Sequence, residues 1–150
     1  EKHSISYKMI THYWKDTGTP EDIINANKTI LENMVPEFKG KKDSTVLIQG
    51  NVSIGNNTRI SDQVKIIGPV IIGNKCNISG DAIIGPNTSI GNECNILGGT
   101  IQDSIIMNNC KIGKNVNLRN SIISSNSTIV QNNIKNEQVF LVGEGTKVSF

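Results

Sequence analysis

The sequence predicts a mainly β chain, a parallel β-helix of hexapeptide repeats in which short strands wind around a triangular prism. Three observations predict it. The first is isoleucine every six residues without a break, at Ile48, Ile54, Ile60, Ile66, Ile72, Ile78, Ile84, Ile90 and Ile96. A period of six fits neither an amphipathic helix nor an alternating strand, whereas three hexads complete one coil of such a prism. The pattern resumes at Ile101, Ile106, Ile112, Leu118, Ile123 and Ile129, with five-residue steps where a corner tightens. This makes fifteen hexads, or about five coils.

The second observation is a small or β-branched residue four places after each aliphatic: Val52, Thr58, Val64, Val70, Cys76, Ala82, Thr88, Cys94, Thr100, Ile105, Cys110, Val116 and Ile122. Side chains alternate along a strand, so this position and the aliphatic both point into the prism. The third is Gly directly after the aliphatic at 55, 73, 85, 91 and 113, followed by asparagines such as Asn56, Asn57, Asn74, Asn87, Asn92 and Asn109. Both residue types tolerate the left-handed backbone that tight corners use. Successive coils are expected to stack about 4.8 Å apart through parallel-sheet hydrogen bonds.

The chain ahead of the prism has another character. Residues 5–10 alternate as a short strand. A helix is expected after Thr19, with Thr19 as N-cap, Pro20 at its first position, and Glu21 and Asp22 complementing the positive helix end. Ile23, Ala26, Ile30, Leu31 and Met34 form its apolar stripe, and Pro36 ends it. One strand and one helix cannot bury a core of their own, so this piece is expected to belong to something larger. The organisation read from the chain is 1–35 as that remnant, 36–45 as linker, 46–134 as β-helix and 135–150 as a strand-turn-strand extension.

The segment Trp14-Lys15-Asp16-Thr17-Gly18-Thr19-Pro20-Glu21-Asp22-Ile23-Ile24-Asn25-Ala26-Asn27 resembles the end of the catalytic domain in sugar-1-phosphate nucleotidylyltransferases. The likeness is strongest to the long-form glucose-1-phosphate thymidylyltransferase family, which carries a left-handed β-helix at its C-terminus. Val139-Phe140-Leu141-Val142-Gly143-Glu144-Gly145-Thr146-Lys147-Val148 is similar to that family's final strand-turn-strand. Thr17 favours the thymidylyl branch, since adenylyl and guanylyl relatives more often have Val there. The hand implied for the prism is left, an exception to the right-handed crossover rule.

In such enzymes a sugar phosphate attacks the α-phosphorus of a nucleoside triphosphate and releases pyrophosphate, with Mg²⁺ held by two aspartates. The resemblance makes Asp16 one of those metal ligands, and Thr17 and Gly18 the substrate-side turn that presents it. A carboxylate suits a hard cation that takes only one or two protein carboxylates besides phosphate oxygens. On spacing alone, Asp16 in an Asp-Thr-Gly turn before a helix has a purely structural alternative, and the extended match tips the balance. The family's Gly-rich nucleotide loop, first metal aspartate and sugar-binding loops have no counterpart here. The 150 residues therefore read as the C-terminal part of such an enzyme, without catalysis of their own.

Charge and composition narrow the classes. Net charge is +2, with no basic block beyond Lys39, Lys41 and Lys42, so nucleic acid has little electrostatic attraction. No run of eighteen apolar residues and no signal peptide appear, which gives the expectation of a cytoplasmic protein that avoids membranes. Cys76, Cys94 and Cys110 stand one coil apart at the same hexad position, and their spacing matches no zinc pattern. They are expected to be buried, reduced thiols packed as small hydrophobes.

The competing class is a hexapeptide acyltransferase, or a bifunctional nucleotidylyltransferase/acetyltransferase. Acyltransferases of this kind commonly use a histidine base, and no histidine lies between Val46 and Phe150. His3 and His12 flank the first strand and read as ordinary surface or cleft residues. The flat faces and open ends of the prism favour a homo-oligomer, with a trimer ahead of a dimer.

Overall fold

The computed structural model describes Met9, residues 16–130 and residues 138–149. The strand expected over 5–10, together with His3, His12 and Trp14, lies outside the described residues, apart from Met9. Three parallel sheets form the walls of a left-handed β-helix. The first face carries seven strands: Lys41–Lys42, Arg59–Ile60, Asn77–Ile78, Asn95–Ile96, Lys111–Ile112, Thr128–Val130 and Lys147–Ser149. The second carries five: Leu47–Gln49, Lys65–Ile67, Ile83–Ile84, Thr100–Gln102 and Asn117–Arg119. The third carries six: Val52–Ile54, Val70–Ile72, Thr88–Ile90, Ile105–Ile106, Ile122–Ile123 and Leu141–Val142.

The prism thus has about six turns rather than five. Residues 36–45, expected as a linker, supply part of its opening coil. Lys41 and Lys42 pair in parallel with Arg59 and Ile60, and Lys39 N–H donates to the Ile54 carbonyl at 2.9 Å. The closing segment does the same at the other end, where Leu141 pairs with Ile122 and Val148 with Ile129. Open backbone edges at each end of the hexad run account for both additions, since each accepts one more rung.

Every aliphatic of the hexad series from Ile54 to Ile129 is buried, and Ile48 in the first complete coil is half-buried. Removing an isoleucine from water contributes about 1.5–3 kcal/mol, so this column dominates the stability of the prism.

The second inward position needs a correction. Thr100, Ile105 and Ile122 are only half-buried, and their places inside are taken by Gly99, Ser104 and Ser121. Each of those three residues lies within a five-residue step, at 96–101, 101–106 and 118–123. The residue lost there comes from the corner, and strand alternation fixes the inward site two places before the next aliphatic, not four after the last. The buried serines find partners: Ser104 Oγ donates to the Gln102 carbonyl at 2.7 Å and accepts from Ser121 N–H at 3.1 Å.

The corners divide labour between asparagine and glycine in a way the sequence did not reveal. Asn57, Asn87 and Asn109 adopt the left-handed region, as do Asn115, Asn120 and Asn126. Asn74, Asn92 and Asn108 instead form a ladder, each Oδ1 accepting the backbone N–H of Asn56, Asn74 and Asn92 respectively at 2.7 Å. The glycines after the aliphatics do not take the left-handed backbone expected of them. They are small because coils touch there: a Cβ on Gly73 would sit 2.7 Å from the Gly91 carbonyl carbon and 2.6 Å from Asn92 Oδ1.

Helix α1, Pro20–Glu32, begins as expected at an N-cap, with Asp22 N–H donating to Thr19 Oγ1 at 3.2 Å. Its buried side chains are Ile24 and Leu31, while Ile23 and Ile30 of the expected stripe are 39% and 69% exposed. The apolar residues make two stripes, and only the Ile24–Leu31 stripe meets the prism.

Candidate functional site

Asp16, Thr17 and Gly18 form an exposed, irregular stretch that leads straight into the Thr19 cap of α1. No backbone demand explains Gly18: its φ lies outside the left-handed region, and a Cβ added there would meet nothing within 4 Å. The space beside it is open to an approaching group. Among the described residues, no three of His, Cys, Asp and Glu come together as a metal cluster. Asp16 is thus, among the described residues, an exposed carboxylate outside any such cluster. That donor chemistry suits Mg²⁺, which rarely relies on an all-protein cage.

Helix α1 connects this turn to the prism along the edge between the second and third faces. Asn27 Nδ2 donates to the Asn87 carbonyl at 3.1 Å, and Ser89 Oγ donates to Asn27 Oδ1 at 2.5 Å. One residue on, Lys28 Nζ lies 3.1 Å from Asp103 Oδ1. Asp103 occupies a left-handed corner with φ 48, accepts from Asn87 Nδ2 at 2.9 Å and forms an ion pair with Arg119, whose Nε lies 3.4 Å from Oδ2. Its side chain is 12% exposed. Burial works against its ionisation, but the hydrogen bonds from Asn87 and Lys28 and the charges of Lys28 and Arg119 prevail. They hold its carboxyl below the usual carboxylate range.

Nearer the start of α1, a cavity of about 320 Å³ separates the first turn (Pro20, Glu21) and Ile24 from Asn120 and Leu141 of the last coils. None of Asn27, Lys28, Ser89, Asp103 and Arg119 was legible as a site residue in the sequence. No local signal singles out Asp103, since an aspartate also stands at the left-handed corner of Asp62, and the partner of Asp103, Lys28, stands seventy-five positions away.

The three cysteines are buried and free. They belong to one inner column, Thr58, Cys76, Cys94, Cys110 and Ser127, whose side chains donate to carbonyls of the next coil. Hydrogen bonding of the Cys94 thiol toward the Cys110 and Cys76 sulfurs, with burial, pushes the Cys94 thiol up, and the same contacts lower Cys76 and Cys110 to about 7. The column is core.

Among the described residues, no helix is long and apolar enough to cross a membrane. Strands of two or three residues, a six-residue repeat and three parallel sheets define the class: a left-handed hexapeptide-repeat β-helix. The chain belongs to the GMPPB C-terminal domain family, whose model matches residues 66–149. That match covers the prism from Ile66 onward, and the opening strands, α1 and Asp16 lie outside it.

Similar proteins include glucose-1-phosphate thymidylyltransferase of Streptomyces antibioticus, 34% identical over 58 residues, or 39% of this chain and 16% of that protein. The bifunctional protein GlmU of Methanococcus aeolicus is 37% identical over 60 residues, 40% of this chain and 15% of that one. GlmU of Methanocaldococcus jannaschii is 45% identical over 42 residues, 28% and 10% of the two chains. The chain thus matches only a small part of these relatives' length. Among solved structures, a hexapeptide transferase family protein from Anaplasma phagocytophilum aligns with TM-score 0.30 and 21% identity, over 73% of this chain and 69% of that one.

Proposed function

We propose that the chain is the C-terminal part of a sugar-1-phosphate nucleotidylyltransferase, with dTTP and glucose 1-phosphate as the first substrates to test. The observation that carries this reading is the Asp16-Thr17-Gly18 turn, exposed, sterically open at Gly18, and joined by one capped helix to a β-helix. Relatives bearing similar β-helix segments include a thymidylyltransferase, and Thr17 favours the same branch.

In this reading Asp16 holds Mg²⁺ together with a second aspartate from the rest of the enzyme. When bound, the ion offsets charge on the triphosphate as the sugar phosphate attacks the α-phosphorus and pyrophosphate leaves. The residues of this chain do three things. Asp16 supplies a carboxylate, Gly18 leaves room for substrate beside it, and α1 fixes the turn relative to the prism.

The prism itself acts as a scaffold and as the surface for self-association into a homo-oligomer, with a trimer favoured. Its third face carries α1, and its first face presents Arg59, Lys111 and Lys147. The second face exposes Leu47 and Ile67. Sedimentation of the chain at micromolar concentration should show an oligomer that Ile67→Glu weakens, and a monomer throughout would overturn this assignment.

The decisive experiment uses the full-length enzyme: Mg²⁺-dependent nucleotide-sugar formation, with Asp16→Asn expected to reduce it by orders of magnitude. The GlmU relatives give specific weight to a second reading, acetyl transfer by the prism. The lack of a histidine from Val46 to Phe150 argues against it. Acetyl transfer from acetyl-CoA by the 150 residues would reverse the choice.

A further inference from the structure

We infer that Lys28–Asp103 and Asn27–Ser89 form a register latch. It fixes where α1 sits along the prism and so positions the Asp16-Thr17-Gly18 turn at its head. The inference rests on the metal role given to Asp16 above, and it assigns positioning residues to α1 and the prism.

The argument begins with what apolar packing cannot do. Ile24 and Leu31, two helical turns apart, are the buried anchors of α1. The third face beneath them offers a repeating surface in which the outward residues of successive coils are Ser53, Ile71, Ser89, Ile105, Ile122 and Leu141. Coils repeat at about 4.8 Å and helical turns at about 5.4 Å. A slip of α1 by one rung would nearly restore its apolar contacts, so burial alone specifies position weakly.

The polar groups remove that ambiguity. Of the two serines in this outward row, Ser53 lies two coils away and accepts from Glu37 N–H at 3.0 Å, so Ser89 is the one open to α1; Asn27 meets it while also donating to the Asn87 carbonyl. On the adjoining corner, Asp103 accepts from Lys28 and Asn87 and pairs with Arg119. A slipped helix would strand a largely buried carboxylate without its ammonium, which is the most costly mismatch available at this surface. Selecting one register is the best-attested use of a buried ion pair.

The latch also lies where it is needed. The cavity of about 320 Å³ leaves the first turn of α1 standing off the last coils. Apart from Ile24, the latch is therefore the anchor nearest the turn that carries Asp16. A small displacement of a metal ligand has a large effect on a reaction that depends on positioning.

Asp103→Asn is the sharp variant, because asparagine is at home in this left-handed corner and only the charge is lost. Two measurements on the full-length enzyme test the inference. Hydrogen–deuterium exchange should quicken in residues 20–32 and stay unchanged in the prism. The Mg²⁺ concentration for half-maximal activity should rise at least threefold while the prism melts at the same temperature. Lys28→Met should behave alike, and Lys28→Arg should behave as wild type.

Unchanged exchange in α1 would overturn the latch. Faster exchange with an unmoved Mg²⁺ requirement would overturn its positioning role and leave the proposed function standing. Full activity in Asp16→Asn would remove the metal reading, and this inference about positioning with it.

Discussion

The Cys94 thiol donates to the carbonyl of Met107 on the next coil, 3.0 Å away. Cys76 and Cys110 make the same contact with Gly91 and Ser124, at 3.0 and 3.2 Å. In the same column Thr58 and Ser127 use hydroxyls for this purpose. The column is thus a file of short donors, and sulfur has no unique role in it.

All three thiols should resist a thiol reagent in the native protein and react promptly in denaturant. Cys94→Asp should cost on the order of 3–5 kcal/mol, because the new charge has no partner inside the prism. Cys94→Ser should cost far less, since serine does the same work at 127. Denaturant titration of the two variants checks the ranking.

Gly99 should tolerate no side chain. It stands at φ +82, and an added Cβ would collide with the Val116 carbonyl oxygen on the next coil. Gly99→Ala combines left-handed strain with overpacking against backbone, each costing about 1–3 kcal/mol. A loss of about 2–5 kcal/mol in the unfolding of the prism is expected from equilibrium denaturation.

Leu31, 1% exposed, should separate helix docking from prism folding. Leu31→Ala is expected to cost about 2–4 kcal/mol of helix docking. Hydrogen exchange should quicken across 20–32 and leave the Ile60–Ile112 coils protected. Equal acceleration in both would mean that helix and prism unfold as one unit.

Acid should release α1 before it melts the prism. The folded pKa of Asp103 is depressed, so its stabilising contribution is full above the unfolded value of about 3.9 and is lost as pH falls through the lower folded value. Asp103→Asn should abolish that step in an acid titration of α1 exchange.

The hexad isoleucines determined the prism from sequence alone. A repeat imposed by geometry on every coil leaves a periodic record, and only a narrow aliphatic stack writes isoleucine every six residues. The Thr19 cap and Pro20 were legible for a similar reason, since their chemistry is local to the first turn. The inward places of Gly99, Ser104 and Ser121 were not, because a shortened corner shifts the count and only strand pairing shows on which side the residue is lost. The burial of Ile24 in place of Ile23 was also left to the fold, as two apolar stripes on one helix compete and the partner surface chooses between them. The meeting of Lys28 with Asp103 belongs wholly to tertiary structure. Neither residue carries a local signature, and coiling of the chain alone brings an ammonium and a largely buried carboxylate from seventy-five positions apart to 3.1 Å.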